Sequence, residues 1–151
     1  MKHRISAGII VEHQSRVLLV RHLRPGRYDF WVAPGGGVQG EEELSAAAIR
    51  EVREESGLMV EAGRLAYIEE LIQPDLRLCK FWFAGRLLGG KLNTAAPEAK
   101  AEHIVEAAWL TRQDMEGKTI FPPVVRGEYW NHRDEGFKSP KHLGLRRLEF
   151  W

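Results

Sequence analysis

At 151 residues, 44% hydrophobic and 28% charged, the chain is one domain's worth of polypeptide with enough apolar material for a core, which argues against a disordered or low-complexity protein. A formal net charge of +1 gives no electrostatic reason to expect a nucleic-acid or membrane-surface partner. No apolar run approaches a membrane span, no signal-type segment precedes the first strand pattern, and a lone cysteine, Cys79, leaves no internal disulfide. A cytoplasmic location and a single domain over residues 1–151 are the expectations.

In chain order, residues 4–12 and 16–22 are β-branched-rich runs joined by His13-Gln14-Ser15, the pattern of a hairpin. A strand over 30–33 leads into Pro34 and the glycines Gly35, Gly36 and Gly37, which stop the strand and free a main-chain carbonyl to face a cation. A helix follows. Its expected features are Glu41, Glu42 and Glu43 in the first turn at the positive end of the dipole, an apolar arc of Ala48, Ile49 and Val52, and Gly57 as C-cap. Residues 59–71 and 76–88 read as two extended segments, the second closed by the turn pair Gly89-Gly90. Cys79 in the second of these reads as a buried small hydrophobe.

Residues 93–102 read as a loop at the rim of a cleft, and 103–110 as a strand. Thr111 with Asp114 opens a short helix, and Pro122-Pro123 starts another that runs to about residue 135 with Val125, Tyr129 and His132 on one face, interrupted in pattern by Gly127. The stretch 136–151 ends in an apolar series that reads as a final strand or a docking segment. Strands alternating with two helices predict an α/β fold, a mixed sheet between helical layers.

The chemistry concentrates in residues 36–58. Glu51, Glu54 and Glu55 fall within about one helical turn, and like charges three or four residues apart cost roughly 0.2–0.5 kcal/mol per pair unless neutralised. The competing reading is a solvated acidic face paired with Arg50 and Arg53. A hard divalent cation is the natural counter-charge, Mg2+ first and Mn2+ second, since the site offers oxygen and neither thiolate nor imidazole.

From Gly36 the run reads Gly, five residues, Glu42, seven residues, then Arg50-Glu51-Val52-Arg53-Glu54-Glu55-Ser56-Gly57-Leu58. At every defined position this resembles the Nudix box of the MutT-type pyrophosphohydrolases, and Trp31-Val32-Ala33-Pro34-Gly35-Gly36-Gly37 is similar to the lead-in of that family. The resemblance implies an α/β/α Nudix sandwich with a mixed β-sheet. It also implies a metal set of Glu51, Glu54, Glu55 and the Gly35 carbonyl. Arg50 would orient a glutamate by a bidentate contact, with Glu42 as its structural partner. The general base is open between Glu51 and a distal acid, for which Glu102 has Glu98 and Glu106 as rivals.

The implied activity is cleavage of the pyrophosphate linkage of a nucleoside diphosphate derivative, of the ADP-ribose or nucleotide-sugar type, by divalent-metal-assisted attack of water. The alternative is a (d)NTP pyrophosphohydrolase giving the monophosphate and pyrophosphate. A non-catalytic nucleotide sensor is a third reading, although sensor boxes have usually lost glutamates and this one has lost none. Pro74, sixteen residues after Leu58, is similar in spacing to the proline of ADP-ribose pyrophosphatases, and Pro74-Asp75 reads equally as a hairpin turn. Arg21, His22, Arg24 and Arg27 are candidates for phosphate or ribose contacts, or are solvated loop charges. Tyr28, Trp31, Tyr67, Trp82 and Phe121 are candidates for base stacking, or are core. The expected partner is a small-molecule nucleotide, with a homodimer left open.

Overall fold

Strands β1 (Lys2–His13) and β2 (Arg16–Arg24) meet through Gln14 and Ser15, whose φ values of 52° and 59° suit a two-residue hairpin turn. The computed structural model describes residues 1–149; Phe150 and Trp151, the end of the C-terminal stretch, lie outside the described residues. The β1–β2 pairing is confined to Glu12↔Val17 and His13↔Arg16. Further back along β1, the edge that β2 leaves is taken by β4 (Gly35–Gly37), antiparallel to Ser6, Ala7 and Gly8. The glycine run expected only as a turn is therefore also a short strand.

Between these lies β3 (Tyr28–Val32), which pairs with β2. Helix α1 (Leu44–Ser56) follows β4 and ends at Gly57, whose φ of 78° places it in the left-handed region that glycine tolerates. Two expectations for this helix are corrected. Glu41, Glu42 and Glu43 precede it rather than fill its first turn, because Glu42 is drawn aside to accept the Gln39 N–H (2.8 Å) and to hold Arg50. Ile49 is 37% exposed, and the packing face consists instead of Ala47, Ala48 and Val52.

Strands β5 (Leu58–Gln73) and β6 (Leu76–Gly90) form a long antiparallel hairpin turned by Pro74 and Asp75, with Asp75 at φ 58°. Gly89 and Gly90 are not a turn: they continue β6 opposite Met59 and Leu58. β6 runs parallel to β1 over Lys2 to Glu12, and this makes the sheet mixed. The expected loop over 93–102 contains a short helix, α2 (Pro97–Ala101), with proline in its first turn. It leads to β7 (Ile104–Leu110), which pairs with β2. After β8 (Ile120–Phe121), the helix expected over residues 122–135 splits at Gly127 into a 3-10 turn, Pro123–Arg126, and α3 (Tyr129–Asp134). Strand β9 (Lys141–Arg147) adds to β5 in parallel, so this part of the C-terminal stretch extends the sheet.

The sheet order among the described residues is β8-β3-β2-β1-β6-β5-β9, with β4 on β1 and β7 on β2. Alternation along β1 and β2 gives each sheet face its own core. Ala7, Ile9, Val11 and Leu18 pack with Ala47, Ala48 and Val52 of α1. Ile10, Val17 and Leu19 pack with Val125, Tyr129 and Trp130 on the other side. The result is an α/β/α arrangement in which α1 is fixed by burial on one flank and leaves its glutamates to the edge where β4 joins β1.

Candidate functional site

The turn after β3 and the helix α1 interlock through hydrogen bonds and close packing. The Gly35 N–H donates to Glu55 Oε1 at 2.8 Å. A Cβ added at Gly36 would lie 2.6–2.7 Å from the Glu51 carboxylate, so only glycine lets the backbone approach it. Arg50 gathers the remaining acids. Its Nε and Nη2 donate to Glu42 at 3.2 and 2.7 Å, its Nη1 to Glu51 at 2.9 Å and Glu54 at 3.2 Å, and its Nη2 also to the Gly37 carbonyl at 3.1 Å. Such forked, charge-assisted contacts are what a guanidinium provides and an ammonium does not.

Glu55 and Glu51 are 2% and 7% exposed. Burial, with the charges of Glu102 and Glu51, pushes the Glu55 carboxyl well above its ordinary range, while the Gly35 N–H and Lys80 oppose this. Burial also raises Glu51, against the pull of Arg50. Hydrogen bonding from Arg50, then from the Gln39 N–H, lowers Glu42. Lys80 lies with its ammonium 4.2 Å from the centre of the Trp82 ring. Burial pulls its pKa down, and Glu69, Glu55 and Glu102 counter that.

Among the described residues, His22, Glu55 and Glu102 bring ligand-type atoms to within 4.8 Å of one another. Of the three rival distal acids, Glu102 thus sits at the cluster. Glu106 lies on β7 beside Arg21 (3.6 Å), and Glu98 belongs to the first turn of α2. His22 is the residue the sequence reading did not place here, and it corrects the expectation of a site without imidazole. Its Nδ1 bonds the Glu102 carbonyl oxygen at 3.1 Å, and its ring stacks on Phe30 with centroids 4.9 Å apart. Burial lowers its pKa to about 4, so at neutral pH the ring is uncharged, donates through Nδ1 and carries a lone pair on Nε2. Its place before the box strand marks it as a candidate phosphate or ribose contact, and nothing local marks it as a neighbour of Glu55 and Glu102. A shift in β2–β7 register between Arg21 and His22 sets where it falls.

Arg21 is engaged by Asp29 through two bonds of 2.9 and 2.8 Å. Of the candidate stacking residues, Trp31, Tyr67 and Trp82 are core, and Trp82 with Phe121 also lines a cavity of about 190 Å³ that reaches Gly35 and His22. Cys79 is half-buried beside Arg4 and Arg77, away from this cavity, and is not the fully buried hydrophobe expected.

The donor set suits a divalent cation. Glu51 and Glu55 are pushed towards the protonated form first by burial and then by neighbouring acids, against the partial relief of Arg50 and Lys80, and oxygen atoms dominate over one imidazole. A glycine turn locked to a carboxylate-bearing helix beside the central strand of a mixed sheet defines the Nudix class.

Comparison with known proteins agrees. A sequence model of the NUDIX domain matches residues 2–126, and the chain belongs to the Nudix hydrolase family. It is similar to the human (Homo sapiens) 8-oxo-dGDP phosphatase NUDT18, with 34% identity over 108 residues, 72% of this chain and 32% of that protein. It is also similar to diphosphoinositol polyphosphate phosphohydrolase 2 of Mus musculus, with 48% identity over 59 residues, 39% of this chain and 32% of the relative. The chain thus spans about a third of the length of these curated relatives. In fold it resembles a Nudix hydrolase from Nitrosomonas europaea at a TM-score of 0.77 and 22% identity, covering 98% of this chain and 81% of that one. Among the described residues no helix is long and apolar enough to cross a membrane.

Proposed function

We propose that the protein hydrolyses the pyrophosphate linkage of a nucleoside diphosphate derivative, of the ADP-ribose or nucleotide-sugar kind, with a divalent cation, Mg2+ or Mn2+. The observation that carries this reading is the continuity of the carboxylate cluster with the ring-lined cavity through Gly35 and His22, which puts a binding slot beside the acids. A relative named for a nucleoside diphosphate, the 8-oxo-dGDP phosphatase, supports the diphosphate over the triphosphate.

Glu51, Glu54, Glu55 and the Gly35 carbonyl would hold the ion. When bound, it neutralises diphosphate oxygens and lowers the pKa of a coordinated water. Arg50 keeps Glu51 and Glu54 together through one nitrogen and anchors both to Glu42, so the acids are oriented before any ligand arrives. The proton of the attacking water passes to a carboxylate. Glu51, whose burial raises its proton affinity, and Glu102 are the two candidates, and a base poised nearer neutrality is the better acceptor. The water oxygen bonds to phosphorus, the bridging P–O bond breaks, and its electron pair leaves with the departing phosphoryl oxygen.

The test is phosphate release with Mg2+ across a nucleotide panel, coupled to a phosphomonoesterase for diphosphate-linked compounds or to an inorganic pyrophosphatase for triphosphates. Signal confined to the first coupling is expected. Signal confined to triphosphates would make this a nucleotide triphosphate pyrophosphohydrolase, and silence with every compound despite nucleotide binding would make it a sensor.

A further inference from the structure

Strand β9 lies beyond residues 2–126, the part of the chain that matches the NUDIX domain, and nevertheless completes the wall of the cavity. Its register pairs Arg146 with Leu71 of β5, and side chains two residues apart on a strand share a face, so Arg146 stands next to Glu69. The Leu148 N–H donates to the Ile72 carbonyl at 2.9 Å and brings the Leu148 side chain to the same cavity.

Arg146 is held in a defined pose. Its guanidinium carbon lies 4.5 Å from the centre of the Phe121 ring. Its Nε and Nη2 approach Glu69 at 3.4 and 3.5 Å. Glu69 is only 2% exposed and is fixed from the other side by Trp82 Nε1 at 3.0 Å. Arg146 lines the cavity, and the two long contacts to Glu69 engage only its Nε and Nη2.

Resting on the nucleotide reading above, we propose that this cavity takes the base and that Arg146 is its specificity-determining residue, selecting a 6-oxopurine over adenine. Size supports a base: about 190 Å³ is below the roughly 300–1,000 Å³ of sites that enclose a whole drug-sized ligand, and suits one planar ring system. The walls Phe30, Val32, Leu71 and Phe121 offer ring faces and apolar surface. A phosphate there would lose its water against those walls and meet the buried Glu69 carboxylate. The cationic groups on the lining are Lys80 and Arg146, which donate and cannot accept, while Gln73 and the His22 Nε2 lone pair stand elsewhere on the same lining. Donor-only cations match the O6 and N7 acceptors of a guanine-type ring, whereas adenine would set its N6 amino donor against them. A base seated here places the remainder of the nucleotide past Gly35 and His22, towards Glu55.

The test is calorimetric binding of GMP, IMP, AMP, UMP and inorganic phosphate to the metal-free protein, for the wild type, Arg146→Met and Arg146→Lys. GMP and IMP are expected to bind the wild type roughly tenfold or more tighter than AMP or UMP, with no competition from phosphate. Arg146→Met, with its melting temperature checked, brings GMP to the level of AMP, and Arg146→Lys retains part of the preference. Equal binding of GMP and AMP to the wild type, tighter binding of UMP, displacement by phosphate, or undiminished selectivity in Arg146→Met would overturn the assignment. Selective binding without hydrolysis of any compound would defeat only the catalytic reading, and hydrolysis without base preference would defeat only this one.

Discussion

Two polar clusters are built on β1, and they balance charge in opposite ways. At Glu12 each group meets its complement: the carboxylate accepts from Tyr129 Oη at 2.7 Å and from Arg133 Nε at 3.1 Å, and nearby Tyr67 and His132 share a hydrogen bond of 2.7 Å. Where β4 joins β1 at Gly35, acids crowd together, and burial and repulsion work against their ionisation. The first cluster fastens α3 to the sheet. The second stores unfavourable electrostatics that a bound cation would relieve, the kind of local conflict that folded proteins tolerate chiefly at functional sites.

The sharpest way to break this comparison is to remove one box carboxylate without removing its shape. Glu54→Gln is expected to cut the metal-dependent rate roughly 10²–10³-fold with the fold intact by circular dichroism. Full activity with unchanged Mg2+ dependence would refute the metal assignment.

A slightly smaller effect is expected from His22. Its pKa of about 4 lies below the ordinary 6.5, so the unfolded chain binds a proton that the folded chain refuses. This contribution is fully present above pH 6.5 and is lost as pH falls towards 4, up to about 3 kcal/mol. Imidazole NMR should show His22 neutral at pH 5.5 and protonated on Nδ1, and a titration midpoint near 6.5 would contradict its placement.

In the balanced cluster, Glu12→Ala should cost about 1–3 kcal/mol in urea unfolding, because it strands the buried Tyr129 hydroxyl and leaves Arg133 with Asp134 alone. A neutral result would mean that this network does not fasten α3. The smallest effect belongs to the exposed pair Arg86–Glu61, 2.7 Å apart, where Arg86→Gln should shift stability by no more than about 0.5 kcal/mol.

How much of this was legible in the sequence follows from how local each feature is. The Gly36-to-Leu58 spacing depends on one turn and one helix, so the glutamate face and the glycine stop at Gly57 could be read directly. The helix start was misread because Glu41, Glu42 and Glu43 look like an acidic first turn, while the long-range grip of Arg50 on Glu42 keeps that segment outside the helix. Ile49 was misplaced for a related reason: apolar character suggested the buried arc, but small Ala47 and Ala48 fit closer against β1. The sequence offers His22 only as a candidate phosphate or ribose contact and does not mark Arg146, since each is brought to the site by strand pairing between distant segments, β2 with β7 and β5 with β9.

The most direct test of the central claim, that the Gly35 cluster is destabilised by its own charge and relieved by a divalent cation, is thermal unfolding of the wild type and Glu55→Gln, each with and without Mg2+, at neutral pH. Metal-free Glu55→Gln is expected to melt higher than the metal-free wild type, because a buried ionisable group is gone while the Gly35 N–H keeps an acceptor. Mg2+ is expected to raise the wild-type midpoint and leave the variant almost unmoved. A lower midpoint for metal-free Glu55→Gln, or an equal Mg2+ response in both proteins, would contradict it.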